Sequence, residues 1–190
     1  MMEKKKAIGI IGSPRKNGNT TLLTNELLDL LKDSFEIEKI FLKDLNINPC
    51  EECYHCMENE ECSIKDDMQV LYPKLKEAQV IILSSPIFMG GVNSYMRAFM
   101  ERTWHLRKGQ LKGKTGSYII VGRRDIGSGT NEMEEYLSRL QVNKIAGVLG
   151  FGFYEGDVLK DEEALKNIQR LSSQIISLNQ NKSETINQLL

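Results

Sequence analysis

The stretch AIGIIGSPRKNGNTTLLTNELLDLL, residues 7–31, runs from an apolar strand through a loop of small polar side chains into a helix. Residues 7–11 form an apolar run of strand length. Residues 12–20, Gly-Ser-Pro-Arg-Lys-Asn-Gly-Asn-Thr, combine turn-forming glycine and proline with hydroxyl and amide groups. The helix that follows carries Leu22, Leu23, Leu27, Leu28, Leu30 and Leu31.

The rest of the chain repeats this alternation. Apolar runs at 37–42, 80–83, 117–121 and 145–153 supply four more strands. The segment 66–78 is helical, with Met68, Leu71 and Leu75 at three- and four-residue spacing. A second helix covers 94–106 and a last one begins near Asp161, with the polar stretch after Ser177 as its extension or a frayed tail. Five strands alternating with helices predict an α/β fold, a doubly wound five-stranded parallel sheet of flavodoxin type. Such a sheet binds ligands beyond the carboxyl ends of its strands. At 190 residues with 41% hydrophobic content the chain suits one domain, 1–190, with one substantial core.

The loop 12–20 is a helix N-terminus preceded by a turn, where free N–H groups and the helix dipole favour a phosphate. A nucleotide P-loop needs Gly-Lys followed by Ser or Thr, and here Gly18-Asn19-Thr20 stands instead. A neutral cradle of this kind suits a terminal monophosphate such as that of FMN. Ser13, Asn17, Asn19 and Thr20 are its candidate donors, Gly18 its turn, and Arg15 its charge. A plain capped helix is the competing reading. The loop after the third strand holds Pro86, Ile87, Phe88, Met89 and Gly90, apolar groups at a strand end where chains usually turn polar; it reads as a wall for a flat ring system or, taken alone, as simple continuation of the core. The loop after the fourth strand, with Gly122, Arg123, Arg124 and Gly127, is placed to meet the other side of that ring, or its arginines form surface ion pairs.

All four cysteines, Cys50, Cys53, Cys56 and Cys62, fall within the loop 45–65 after strand two, with the spacing C-x2-C-x2-C-x5-C. Two-residue spacers let successive sulfurs converge from a tight loop, so the window reads as a ligand set for a metal or an iron-sulfur cluster. With no second cysteine group in the chain, Cys62 closes the same site and gives one 4Fe-4S centre. Two disulfides, free thiols and a zinc site are the alternatives. Glu51, Glu52, Glu58, Glu60 and Glu61 surround the cysteines and predict a low reduction potential for a cluster there. His55 reads as an exposed loop residue, and Trp104 and His105 as packing or subunit-contact residues.

The net charge of -1 gives no electrostatic argument for nucleic acid or an anionic membrane. No apolar run reaches spanning length, and the N-terminus enters a strand instead of a signal sequence, so the expected location is cytoplasmic.

Residues 12–20, 85–92 and the helix through Arg97, Phe99, Glu101 and Arg102 resemble the NADPH-dependent FMN reductase superfamily. With the cysteine motif, the chain is similar over roughly residues 5–175 to the iron-sulfur flavoproteins of anaerobic archaea and bacteria. The resemblance implies a flavodoxin-like redox protein with FMN, a 4Fe-4S cluster on Cys50, Cys53, Cys56 and Cys62, and a homodimer or homotetramer in which the cluster of one subunit lies near the flavin of another. It also implies electron exchange with a ferredoxin-like carrier or NAD(P)H. Positions that are often Tyr-Trp in such proteins are Phe88-Met89 here, and a frequent helix lysine is Arg97. The alternatives are a cluster-free NAD(P)H-dependent FMN, quinone or azo reductase, and a zinc-stabilised binding domain without flavin. No Gly-x-Gly-x-x-Gly fingerprint follows a strand, so direct use of NAD(P)H rests on the resemblance alone.

Overall fold

The computed structural model describes residues 4–187. In chain order the first half comprises β1 (Lys6–Ile11), α1 (Asn19–Leu31), β2 (Glu36–Phe41), α2 (His55–Glu58), α3 (Met68–Glu77) and β3 (Val80–Phe88). The second half comprises β4 (Gly91–Val92), α4 (Ser94–Arg102), β5 (Thr115–Gly122), α5 (Gly129–Arg139), β6 (Asn143–Lys144), β7 (Val148–Phe151) and α6 (Glu162–Asn187). The sheet runs β2-β1-β3-β5, with β6 and β7 both on the outer edge of β5. All of its pairings are parallel except the β3–β4 hairpin. This is the flavodoxin-type order, whose switch point lies between β1 and β3.

Alternation along each interior strand divides its side chains between the two faces. Ile8, Ile10, Ile81, Leu83, Tyr118 and Ile120 point to one side, where α3, α4 and α5 contribute Leu71, Leu75, Met96, Phe99, Met133 and Leu137. Ala7, Val80, Ile82, Ile119 and Val121 point to the other, against Leu23 and Leu27 of α1 and Ile168, Leu171 and Ile175 of α6. Both faces are covered, which is why these strands read as unbroken apolar runs. Each buried Val, Leu, Ile, Phe or Met among them contributes about 1.5–3 kcal/mol.

The sequence reading needs four corrections. The third strand does not stop at Leu83 but runs to Phe88 and turns into a hairpin with β4. The expected helix 94–106 ends at Arg102, where the N–H and hydroxyl of Thr103 both donate to Met100 O and tighten the chain into a 3-10 turn over Trp104–Lys108. Of the expected strand 145–153 only Val148–Phe151 is strand, as β7, with β6 just before it at Asn143–Lys144, and between them Gly147 makes room for the Tyr118 ring. Helices α2 and α5 had no counterpart in that reading. Among the described residues no helix is long and apolar enough to cross a membrane.

Candidate functional site

At the carboxyl ends of β1, β3 and β5 lies a cleft of about 540 Å³. Its floor is the start of α1, whose cap residue Gly18 is extended and makes no side-chain cap bond, and whose first turn holds no acidic side chain. The N–H groups of that turn and its dipole are left for an anion. Ser13 Oγ folds the loop by donating to Arg15 O at 2.9 Å and accepting from Arg15 N at 3.2 Å. Arg15 is exposed and makes no ion pair among the described residues, whereas Lys16 is engaged with Asp44 at 2.8 Å.

Ser13, Arg15, Gly18, Asn19 and Thr20 line the cleft together with Pro86, Ile87, Phe88, Met89 and Gly122. Asn19 does so without its side chain free. Its Nδ2 donates to Tyr154 O at 2.8 Å and its Oδ1 accepts from Gly156 N at 2.9 Å, so it braces the loop after β7. Asn17 is exposed and outside the lining. Gly90 lines an adjoining cavity of about 370 Å³ with Arg123, Arg124 and Asp125.

The hairpin β3–β4 pairs Phe88 with Gly91, leaving Met89-Gly90 as a two-residue tip with φ of 51° and 82°. Two positive φ values are the signature of a type I′ turn, a conformation that glycine or asparagine adopts more readily than methionine. Met89 is fully exposed and Phe88 54% exposed, so the apolar wall stands open to solvent. Gly127 lies beneath this tip and outside both cavities. Its φ is 48°, a Cβ there would meet Gly90 O at 2.1 Å, and the neighbouring Ser128 N–H donates to Gly90 O at 2.7 Å.

Val121, Arg123, Gly152 and Phe153 complete the cleft, with the Arg123 guanidinium 3.9 Å from the centroid of the Phe153 ring. The sequence reading singled out neither Gly152 nor Phe153, although both follow β7 and the carboxyl-end rule covers that loop too. It also missed Asn93, the buried cap of α4. Its Oδ1 accepts from Met96 N at 3.2 Å, its N–H donates to Ser85 Oγ at 3.1 Å, and its Nδ2 donates to Gly12 O.

At the far end of α4 the four cysteines line one concavity of about 360 Å³ with Tyr54, Ser63, Ile64, Glu101 and Trp104. Positive φ at Glu52 and Tyr54 curls the loop around it. All four are free thiols, Cys50 and Cys53 exposed, Cys56 and Cys62 half-buried. The Ser63 hydroxyl at 3.1 Å, and then the His55 backbone N–H, lower the Cys53 thiol pKa. Burial raises that of Cys56, as does the neighbouring Cys62. The His55 ring pairs with Asn59, and Lys108 Nζ donates to Met57 O at 2.9 Å, holding α2 in place. The four soft sulfur donors on one concave surface fit the chemistry of an iron-sulfur cluster. Among the described residues no group of three or more His, Cys, Asp or Glu is arranged to hold a metal ion.

The loop is closed at its neck by a buried ion pair. Arg102 and Asp66 have side-chain exposures of 0% and 2%, with Nη1 2.5 Å from Oδ2 and Nη2 3.0 Å from Oδ1. The same guanidinium donates to Asn48 O at 2.9 Å and Ile64 O at 3.2 Å, the carbonyls on either side of the cysteines. Burial opposes the Asp66 charge, but Arg102 and the N–H groups of Asn48 and Met68 outweigh it and hold its pKa below the usual value.

A neutral helix N-terminus, an apolar wall and a carboxyl-end cleft at the switch point define a flavodoxin-like mononucleotide-binding protein. Residues 5–156 match the family described as NADPH-dependent FMN reductase. An iron-sulfur flavoprotein of Methanocaldococcus jannaschii is 34% identical over 183 residues, covering 90% of this chain and 95% of that protein. One from Archaeoglobus fulgidus is 34% identical over 179 residues, covering 90% and 78%. The solved Trp repressor binding protein of Bacillus subtilis, 24% identical, matches the fold with a TM-score of 0.68 over 88% of this chain and 99% of that one. The chain belongs to the iron-sulfur flavoproteins of the NADPH-dependent FMN reductase family. It is a flavin-dependent oxidoreductase whose cofactor is FMN.

Proposed function

We propose that this protein transfers electrons between FMN in the carboxyl-end cleft and a 4Fe-4S cluster on Cys50, Cys53, Cys56 and Cys62, exchanging them with a ferredoxin-like carrier or with NAD(P)H. One observation carries the reading: a single helix, α4, is tied by its cap Asn93 to Gly12, where the loop 12–20 begins, and lines the cysteine concavity with Glu101. The bound cofactors supply the one- and two-electron chemistry, and the protein binds, orients and shields them. Ser13, Thr20 and the first-turn N–H groups receive the phosphate, and Arg15 adds charge. Pro86, Ile87, Phe88 and Met89 exclude water from one side of the ring, Gly90 and Gly122 give its edge close access to backbone, and Gly127 supports the tip. The chain acts as one domain, 1–190, with 45–65 as its cluster loop, in a cytoplasmic homodimer or homotetramer.

A cluster-free NAD(P)H-dependent FMN, quinone or azo reductase is the second reading, and it needs only the carboxyl-end cleft. Iron, acid-labile sulfide, zinc and flavin per chain, on protein purified without oxygen, separate the two. About four irons, four sulfides and one FMN support electron transfer, and Cys53→Ser then loses the iron and keeps the flavin. Flavin without iron leaves the reductase, and zinc without flavin overturns both.

A further inference from the structure

The guanidinium of Arg102 makes four hydrogen bonds, all through Nη1 and Nη2. Its Nε, equally buried, has no partner. A buried cationic N–H without an acceptor is destabilising, so it marks a place where an acceptor belongs. Cys62 is the neighbour that qualifies. It packs against the cluster that contains Tyr72, whose hydroxyl donates to Arg102 O at 2.9 Å, and its sulfur acts on both residues electrostatically. It is also the cysteine anchored to the core, packed against the α3–α4 cluster while Gln69 Nε2 holds its carbonyl at 3.3 Å.

We infer that Arg102 is a positioning residue for the cysteine site: it clamps both ends of the loop and keeps its Nε–H for the sulfur of Cys62. This rests on the cluster reading above. The clamp sets the spacing between Cys62 and the three upstream cysteines, since Asn48 and Ile64 bracket the segment that carries all four. The N–H donor stabilises negative charge at one sulfur and so offsets part of the field of the five loop glutamates, which raises the reduction potential. Lysine at 102 keeps the charge and can meet Asp66, but it lacks the planar fork that serves three partners at once.

The test labels the iron-loaded protein with 15N-arginine and examines the reduced form by pulsed electron paramagnetic resonance. Nitrogen coupling from an arginine is expected, surviving in Arg107→Lys and missing in Arg102→Lys. Arg102→Lys should also release iron to a ferrous chelator roughly 10- to 100-fold faster, with a lowered cluster midpoint potential. Asp66→Asn, which loosens the neck, leaves Nε in place and removes one negative charge, should release iron faster with a midpoint that is not lowered. An iron-loaded protein without arginine coupling, or coupling that persists in Arg102→Lys, overturns the inference alone, and the labelled natural sequence decides it even where Arg102→Lys fails to fold. A natural protein that binds flavin and no iron overturns the cluster reading and this inference with it.

Discussion

The side-chain amide of Asn93 donates to the carbonyl oxygen of Gly12, 81 residues earlier in the chain. It joins the end of β1 to the start of α4, and through Ser85 it joins both to β3. The phosphate loop and the apolar wall therefore keep their separation through one buried side chain. Asn93→Ala removes a helix cap worth about 1 kcal/mol and leaves buried polar groups unpaired at about 1–3 kcal/mol. Denaturant unfolding should show a loss of 2–4 kcal/mol in all, about the sum of these two costs. Asn93→Asp, which caps the helix but cannot donate to Gly12, should recover the cap portion only. Both variants should bind FMN more weakly, as read by quenching of flavin fluorescence.

Gly127→Ala tests the joint between the third loop and the hairpin tip. The new methyl would lie 2.1 Å from Gly90 O on a residue with φ of 48°, so the tip must move. Unfolding free energy should fall by about 1–3 kcal/mol. Flavin should also dissociate faster. Unchanged flavin release in a destabilised protein would detach this contact from the cleft.

Met89→Asn replaces a strained left-handed methionine with the Asn-Gly pair that a type I′ tip prefers. The flavin-free protein should gain about 1 kcal/mol. Flavin affinity should fall, because the rim loses its most exposed apolar side chain. Opposite signs in the two measurements would identify Met89 as a residue kept for binding at the expense of folding.

His105 is buried against Tyr72, ring centroids 4.5 Å apart, and burial together with Lys76, Arg102 and Lys108 pushes its pKa down to about 4. The unfolded chain takes up a proton near pH 6.5 that the folded protein refuses. Its contribution is therefore complete above pH 6.5 and is lost as the pH falls from 6.5 towards 4, by about 3 kcal/mol in full. Urea unfolding at pH 7.5 and pH 5 should show about 2 kcal/mol of this loss, and His105→Gln should flatten the histidine part of the slope.

The β1–loop–α1 unit was legible because its signals are local: an apolar run, a turn and a leucine-rich helix adjoin in sequence. The four cysteines were legible for the same reason. Helix α5 was not, although Met133, Tyr136, Leu137 and Leu140 repeat at helical spacing. It opens at Gly129 without a side-chain cap, directly after a glycine-rich loop. Nor was the gap between β6 and β7, where Gly147 faces the Tyr118 ring of β5, a contact between residues far apart in sequence. Asn19 was readable as a polar loop residue but not as a brace, since its partners lie 135 or more residues away. Asn93 and Arg102 share that limit: each acts on carbonyls far off in sequence.

The neck made by Arg102, Asp66, Asn48 and Ile64 uses protein atoms alone. In small zinc domains the ion is the fold, and a chelator unravels the chain. Here the ring of hydrogen bonds closes the loop from outside, so loading and folding become separate events. In protein found to hold the proposed cluster, iron chelation should bleach it yet leave the far-ultraviolet circular dichroism and FMN content nearly intact, and added iron and sulfide should restore the colour without refolding. On the proposed cluster reading, such a chain folds before iron is at hand and outlasts the loss of its metal as a protein that can be reloaded.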